Sequence, residues 1–198
     1  TGLLNDDVWV VDSTPVECGR SRETVKRSDL AGYAEYGYCA SHSRFFWGCR
    51  LHLITTLHGL PVGYALTGAK ADEREALVAI IDTLAPRSVE AITLMADKGY
   101  ASKDLETLLH DDGITLLRPA KKGEKPRSGK QFLKPLRQTI ESVCNTMKSQ
   151  LHLEQHGSRT AGGLVCQVVK RLLALTAAIW HNHTTGQSVL RSLIAYDH

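Results

Sequence analysis

Two aspartates each follow a short apolar run that the sequence predicts as a buried strand. Asp12 comes directly after residues 8–11, and Asp97 directly after residues 91–96. If these strands run parallel as neighbours about 4.8 Å apart, their carboxyl ends meet at one edge of the sheet. We therefore expect the two carboxylates to lie side by side, at the edge where open α/β sheets hold their functional sites.

A predicted helix from residue 133 to about residue 151 supplies a third carboxylate, that of Glu141. The apolar residues of this helix recur every three or four positions and form one stripe: Leu133, Leu136, Ile140, Val143 and Met147. At about 100° per residue, Arg137, Glu141 and Lys148 fall together beside that stripe. Glu141 would then lie at the edge of a packed helix and point along the end of the sheet.

Three carboxylates in one place need positive charge, because like charges raise one another's pKa. Oxygen ligands of this kind suit Mg²⁺ or Mn²⁺, which also bind substrate phosphate through their open positions. Two such ions about 3.5–4 Å apart can hold both the attacking and the leaving oxygen of a phosphoryl transfer. The residues therefore predict a divalent-cation site made by Asp12, Asp97 and Glu141.

The chain resembles, over nearly its whole length, the catalytic domain of bacterial insertion-sequence transposases of the DDE type. The matching pieces are V-D-S-T-P at residues 11–15, G-C-R-L-H-L at 48–53, A-D-K-G-Y at 96–100, and an R-x3-E-x6-K arrangement made by Arg137, Glu141 and Lys148. In fuller forms of the last motif a tyrosine precedes the arginine by three positions, whereas this chain has Lys134 there.

The resemblance implies a ribonuclease-H-like fold, an α/β mixed sheet flanked by helices, for one catalytic domain over residues 1–198. It implies Asp12, Asp97 and Glu141 as ligands of Mg²⁺ or Mn²⁺. It also implies cleavage at the ends of a mobile element and attack of the freed 3′-hydroxyl on target DNA. The partners would be DNA and, on paired ends, a second copy of the chain, in the bacterial cytoplasm with the nucleoid. A helical DNA-binding region usually precedes such a domain, and the chain begins at Thr1 without a methionine, so we expect a longer protein.

The hydrophobic pattern independently predicts an α/β fold with a mixed sheet. After the first strand we expect a long loop over residues 13–44, a hairpin of strands 46–56 and 61–66, and a helix over 72–84 ending before Pro86. A strand at 91–96, a helix at 102–110, a strand at 114–117 and helices at 133–151 and 163–180 would follow.

The formal net charge is +3, and the positive charge is concentrated in one segment. Seven lysines and arginines lie between residues 118 and 134, where Glu124 is the single acid. We expect the basic loop at 118–132 to contact DNA phosphates through salt-sensitive, sequence-independent interactions. The residues expected to bind DNA are Lys98, Tyr100, Lys121, Lys122, Lys125, Arg127, Lys130, Arg137 and Lys148.

Composition argues against a secreted or a membrane protein. The five cysteines form no C-x2-C pair, which disfavours a disulfide framework and favours a reducing cytosol. The apolar region at 164–180 contains Gln167, Lys170 and Arg171, so we expect it not to span a membrane.

Each candidate ligand also has a simpler interpretation. Asp12 and Asp97 could be turn-forming residues without any role as ligands. Glu141 could simply form an ion pair with Arg137. Rival third carboxylates are present at Glu154 and in the first turn of the predicted helix at 72–84, where we favour helix capping. Those rivals in the first turn are Asp72, Glu73 and Glu75.

Two further chemistries are disfavoured. Tyr100 could be a covalent nucleophile, but no arginine–histidine cluster of the tyrosine-recombinase kind accompanies it. The pairs Cys39-x2-His42 and Cys49-x2-His52 imitate zinc ligands, yet in a strand residues 49 and 52 point to opposite faces. The rival functions are a nuclease or resolvase without strand transfer, and a decayed copy that only binds DNA.

Overall fold

A six-stranded mixed sheet forms the centre of this computed structural model, which describes residues 6–39, 43–84, 91–189 and 192–193. The strands are β1 (Val8–Gly19), β2 (Glu35–Cys39), β3 (Arg44–Thr56), β4 (Pro61–Gly68), β5 (Ile92–Met95) and β6 (Ile114–Leu117). Their order is β2-β3-β1-β5-β6, and β4 also pairs with β3. The pairs β1–β3, β2–β3 and β3–β4 are antiparallel, whereas β1–β5 and β5–β6 are parallel.

Five helices accompany this sheet in the described part of the chain: α1 (Arg22–Arg27), α2 (Glu73–Thr83), α3 (Lys103–Asp111), α4 (Lys130–Asn145) and α5 (Ala161–Thr185). Side chains that accept a hydrogen bond from a first-turn amide fix the starts of four of them. Ser21 caps α1, Asp72 caps α2, Ser102 caps α3 and Thr160 caps α5. A π-helical turn, Thr146–Gln150, follows α4 directly.

The sheet separates two apolar clusters because successive strand residues point to opposite faces. Val10 of β1 and Met95 of β5 pack with Ile140 of α4 and with α5 on one face. Val11 and Leu94 pack with α2 and α3 on the other face. The edge at which β1 and β5 meet is therefore bordered by α4 on one side and α2 on the other.

The expected long loop over residues 13–44 is wrong, because β1 continues to Gly19 and the segment also contains α1 and β2. Beyond Val10 the strand keeps its pairing with β3 but no longer pairs with β5. Pro15 is tolerated there because one side of the strand needs no partner for its missing amide hydrogen. The hairpin, the helix at 72–84, the strand at 114–117 and the helix at 102–110 are confirmed to within about two residues. Pro86 lies outside the described residues.

Helix α5 is long and apolar enough, by length and composition alone, to cross a membrane. A core helix passes the same test, and the buried residues of α5 belong to the apolar cluster on the α4 face of the sheet. They are Leu164, Val168, Leu172, Leu175 and Ile179.

The close approach of β1 to β3 requires glycine at residue 48. A Cβ atom there would lie 2.1 Å from the carbonyl oxygen of Val16, which is backbone and cannot turn away. We expect Gly48→Ala to lower the free energy of unfolding by about 3 kcal/mol, as overpacking does in other cores.

Gly162, in the first turn of α5, is the matched control because no atom lies within 4 Å of the position that an alanine methyl group would take. Gly162→Ala should leave the free energy of unfolding unchanged or raise it by up to about 1 kcal/mol. Urea unfolding followed by circular dichroism measures the free energy of unfolding of both variants. Equal midpoints for Gly48→Ala and the parent chain would contradict the close approach.

Candidate active site

The parallel pairing of β1 with β5 brings Asp12 and Asp97 to matching positions. Val10 is opposite Met95 in the register, and each aspartate follows its strand residue by two positions. Asp12 and Asp97 line one cavity of about 210 Å³, together with Lys98 and Arg137. The apolar part of the cavity wall is contributed by Val11, Met95, Ala96, Pro119, Leu133 and Ile140.

Each aspartate uses one carboxylate oxygen for local backbone structure. Asp12 Oδ1 accepts the amide of Ser13 at 2.7 Å, and Asp97 Oδ1 accepts the amide of Gly99 at 2.6 Å. Asp97 thereby caps the short 3₁₀ helix Lys98–Tyr100. Among the described residues, none donates a hydrogen bond to the Oδ2 atom of either aspartate. In both aspartates Oδ1 therefore has the role that the turn interpretation predicts, and Oδ2 can still bind another group.

Asp12 carries an electrostatic cost that the described residues do not compensate. The pKa of its carboxyl is raised to about 6, chiefly by burial and then by the negative charges of Asp97 and Glu73. The Ser13 amide and the more distant Arg137 act in the opposite direction but do not restore the ordinary value. The pair is thus a place where added positive charge is favourable.

Glu141 lies beside this pair without joining it. Its Oε1 accepts a hydrogen bond from Arg137 Nε at 2.7 Å, and both side chains are more than half exposed. Arg137 lines the aspartate cavity, and the negative charges of Asp12 and Asp97 both contribute to raising its pKa. Within the described ranges, no three His, Cys, Asp or Glu side chains are arranged to hold a metal ion.

Cys144, one helical turn beyond Glu141, shows how near that acid is to Asp12. Burial raises the pKa of the Cys144 thiol to about 12, and the charges of Asp12 and Glu141 both add to the rise. Lys148 opposes it. The charges of both carboxylates therefore act on Cys144, and its spacing of three residues from Glu141 could have indicated that it shares a helix face with that acid.

Glu73 lies in the first turn of α2, where its charge suits the helix dipole as expected, but its carboxylate also makes contacts outside the helix. Asp72 caps α2, whereas Glu73 Oε1 accepts hydrogen bonds from Ser13 Oγ at 2.5 Å and from Arg50 Nη1 at 3.1 Å. Sequence reasoning did not predict these two contacts, because Ser13 and Arg50 lie 60 and 23 positions from Glu73 in the chain. Among the other rivals, Glu75 is exposed and Glu154 pairs with Arg44 at 3.6 Å.

The residues expected to bind DNA fall into different environments. Lys98 lines the aspartate cavity, Lys148 is half-buried, and Lys122, Lys125 and Lys130 are exposed. Tyr100 is completely buried and so offers DNA no surface in this structure. Its expected DNA contact is therefore not supported by its position.

The basic segment after β6 has no helix or strand before α4, but ion pairs hold it in place. Arg118 is 5% exposed and pairs with Glu106 at 2.7 Å and with Glu124 at 2.8 Å. Arg127 pairs with the same two acids, at 3.0 and 2.9 Å. Lys121 Nζ donates to the carbonyl oxygen of Ala101 at 2.7 Å. The segment is thus attached to α3 rather than free, as a mobile loop would be.

The zinc alternative finds no support at Cys49 and His52. Cys49 belongs to the apolar cluster of the α4 face, and His52 lies three residues further along the same strand, on the opposite face. His52 Nε2 bonds with Thr67 Oγ1 at 2.9 Å, and burial, followed by the charge of Arg50, lowers the pKa of its imidazole to about 4. His42 of the other pair lies outside the described residues.

Three comparisons relate the chain to known proteins. The family model described as "Transposase DDE domain" matches residues 4–177. The comparison with curated protein sequences gives no match. Among solved structures, the piggyBac transposase synaptic complex with hairpin DNA is similar to this chain, with a TM-score of 0.57 and 8% sequence identity. The aligned part covers 92% of this chain and 49% of that chain. This chain therefore spans about half the length of that transposase.

Two viral structures are similar at lower scores. The catalytic core domain of BIV integrase has a TM-score of 0.46 at 12% identity, with 86% of this chain and 83% of that chain covered. The simian T-cell lymphotropic virus intasome in complex with a PP2A regulatory subunit has a TM-score of 0.42 at 12% identity, with 83% and 47% covered.

The cost of ionising Asp12 predicts a pH-dependent effect of its removal. Because the folded-state pKa lies above the ordinary value of 3.8, the ionised carboxylate destabilises the fold at high pH and the protonated one does not. In chelator, Asp12→Asn should raise the free energy of unfolding by roughly 1–3 kcal/mol above pH 6. The gain should fade as the pH falls toward 4.

Urea unfolding at pH 4, 6 and 8 measures this difference. Asp111→Asn, an exposed aspartate at the end of α3, is the control and should show no such trend. A stability gain for Asp12→Asn that is equal at pH 4 and pH 8 would argue against burial of the charge.

Proposed function

This chain belongs to the transposase DDE-domain family and has a ribonuclease-H-like fold, and we propose that it cuts DNA at insertion-sequence ends and joins the freed 3′-hydroxyl to target DNA. The observation that carries this proposal is the pair Asp12–Asp97 at matching ends of parallel strands, with Arg137 in the same cavity. Two carboxylates and a guanidinium around one open space suit a phosphodiester.

The residues present fit a divalent cation. Asp12 and Asp97 each keep an Oδ2 atom that accepts no hydrogen bond from the described residues, and carboxylate oxygen is the donor that Mg²⁺ and Mn²⁺ prefer. The raised pKa of Asp12 supports the same point, because the pair lacks compensating charge. When bound, Mg²⁺ or Mn²⁺ would stabilise the charge that develops on the transferred phosphoryl group and would activate the attacking oxygen.

Glu141 would become the third ligand of the cation when its carboxylate leaves Arg137. Its present bond to Arg137 is exposed, and such pairs are worth about 0.5 kcal/mol or less on a helix surface. A DNA phosphate that engages Arg137 would release the Glu141 carboxylate, and Arg137 would then hold the phosphate through paired N–H donors. Water would attack in the first step and the DNA 3′-hydroxyl in the second.

The buried position of Tyr100 supports a route without a covalent protein–DNA intermediate, since its hydroxyl cannot reach a phosphodiester from there. DNA would approach from the side of the basic segment, where Lys121, Lys122 and Lys125 precede α4. We expect the reaction on paired ends bound by two copies of the chain, in the bacterial cytoplasm.

Replacing one candidate ligand should remove the chemistry and keep the binding. We expect Asp12→Asn, Asp97→Asn and Glu141→Gln each to slow cleavage about a thousandfold or more in Mg²⁺ or Mn²⁺, since each ligand supports several kcal/mol of transition-state stabilisation. The substrate is a labelled duplex carrying the inverted repeats that flank the coding sequence, with a plasmid as target.

Asp111→Asn and Glu75→Gln are matched controls on exposed helix positions and should cut at the parental rate. Transfer of the labelled DNA strand to the plasmid distinguishes a transposase from a nuclease that only cuts. Full cleavage by any one of the three variants would remove that residue from the ligand set, and cleavage without joining would favour the nuclease.

The basic segment should contribute affinity that depends on salt and not on sequence. Changing Lys121, Lys122 and Lys125 together to alanine should weaken duplex binding uniformly. It should also reduce the slope of log K against log salt by about 0.9 for each DNA phosphate that the variant no longer binds. Fluorescence anisotropy at several salt concentrations measures the slope.

A variant with Lys26, Lys70 and Lys170 changed to alanine carries the same loss of charge at exposed positions away from the cavity. It should keep most of the parental slope. Equal slopes for both triple variants would show that net charge, rather than this segment, determines the binding.

A further inference from the structure

Glu73 occupies a position that the DDE ligand set does not use. It stands at the first position of α2, on the face of the sheet opposite α4, and its carboxylate reaches the edge where β1 and β5 meet. Glu141 approaches the same edge from α4. The Asp12–Asp97 pair is therefore approached by one glutamate from each face of the sheet.

The two oxygens of Glu73 are in different situations. Oε1 accepts hydrogen bonds from Ser13 Oγ and Arg50 Nη1, and Arg50 is itself held by the carbonyl oxygen of Tyr38 at 3.2 Å. No hydrogen bond from the described residues reaches Oε2. Arg50 and Ser13 thus fix the carboxylate by one oxygen and leave the other available.

The available oxygen faces Asp97 across Gly99. A Cβ atom on Gly99 would lie 2.6 Å from Glu73 Oε2 and 2.9 Å from Asp97 Oδ1. The two oxygens can therefore be no further apart than the sum of those distances, and no side chain separates them. Two carboxylate oxygens this close together beside Gly99 can bind the same divalent cation, directly or through a water bound to it.

Tyr100 supplies an independent sign that a ligand belongs here. Its side chain is completely buried, and its hydroxyl has no hydrogen-bond partner among the described residues. Burial raises the pKa of the phenol well above its ordinary value, and the charges of Glu73, Asp12 and Asp97 act in the same direction. A buried donor without an acceptor is costly, so a bound water or ligand group at this point would satisfy it.

We propose that Glu73 is a fourth acidic residue of the cation site, which binds a divalent ion through Oε2 while Ser13 and Arg50 act as positioning residues. This inference rests on the proposed function, because it concerns the same cation. Its consequence is that the site draws ligands from both faces of the sheet.

Direct measurement of Mn²⁺ binding tests the inference without DNA or turnover. Electron paramagnetic resonance of free Mn²⁺ gives the affinity of the intact chain and of Glu73→Gln, which keeps an oxygen to accept from Ser13 and Arg50. We expect Glu73→Gln to weaken Mn²⁺ binding about tenfold or more. Glu75→Gln, two residues away and exposed, should bind as the parent does.

Gly99→Ala is a second variant, and it removes none of the carboxyl groups. Its methyl group would separate Glu73 Oε2 from Asp97 Oδ1, so it should weaken Mn²⁺ binding in the same direction. Thermal unfolding in chelator, followed by circular dichroism, verifies that both variants are folded. A folded Glu73→Gln that binds Mn²⁺ with parental affinity overturns the inference.

Asp97→Asn distinguishes failure of this inference from failure of the proposed function. If Asp97→Asn loses Mn²⁺ binding and Glu73→Gln does not, the cation site stands and Glu73 is outside it. If the parent chain binds no Mn²⁺, the cation site of the proposed function fails and the role of Glu73 fails with it.

Discussion

The parallel register between β1 and β5 is the constraint on which the candidate site depends. It fixes two acids at adjacent strand ends, where backbone hydrogen bonds rather than side-chain choice determine their separation. Burial, and after it the negative charge of Asp97, raises the pKa of Asp12, so the ionised carboxylate is disfavoured in the folded state. Positive charge can relieve this cost, and the described neighbours supply too little because Arg137 and Arg50 are each engaged by another glutamate.

The sheet also explains why the site lies where it does. Both faces near β1 and β5 are filled by apolar side chains, one cluster under α4 and α5 and the other under α2 and α3. Polar groups can therefore gather only at the strand ends, where the two clusters stop. The continuation of β1 past the end of β5 leaves one side of its backbone unpaired, and this opening is the space into which the two aspartates face.

Residues close together in the sequence were enough to predict those helices and strands that depend mainly on short-range interactions. The hydrophobic pattern predicted the strand at 114–117, and Asp72 as a capping residue predicted where α2 begins. The second half of β1 was missed because Pro15 and its polar neighbours resemble a loop, and pairing with β3 stabilises them as a strand. Tertiary contacts overrode local preference there.

The same limit applies to the site. Strand ends and helical periodicity placed Asp12, Asp97 and Glu141 near one another, because those positions follow from backbone geometry. The contact of Glu73 with Ser13 joins residues 60 positions apart, and no periodicity connects them. The pairing of Glu141 with Arg137 is a choice between side-chain conformations, which spacing along a helix permits but does not determine.

The two arginines that bind Glu106 and Glu124 have a consequence for the basic segment between β6 and α4. A free loop loses conformational entropy when it becomes ordered on a polyanion, and that loss is subtracted from its electrostatic attraction. Here Arg118 and Arg127 have already ordered the backbone, at the expense of their own charges. The segment is thus preorganised, and its remaining lysines can meet a polyanion with a smaller entropic penalty than the same residues would have in a flexible tail.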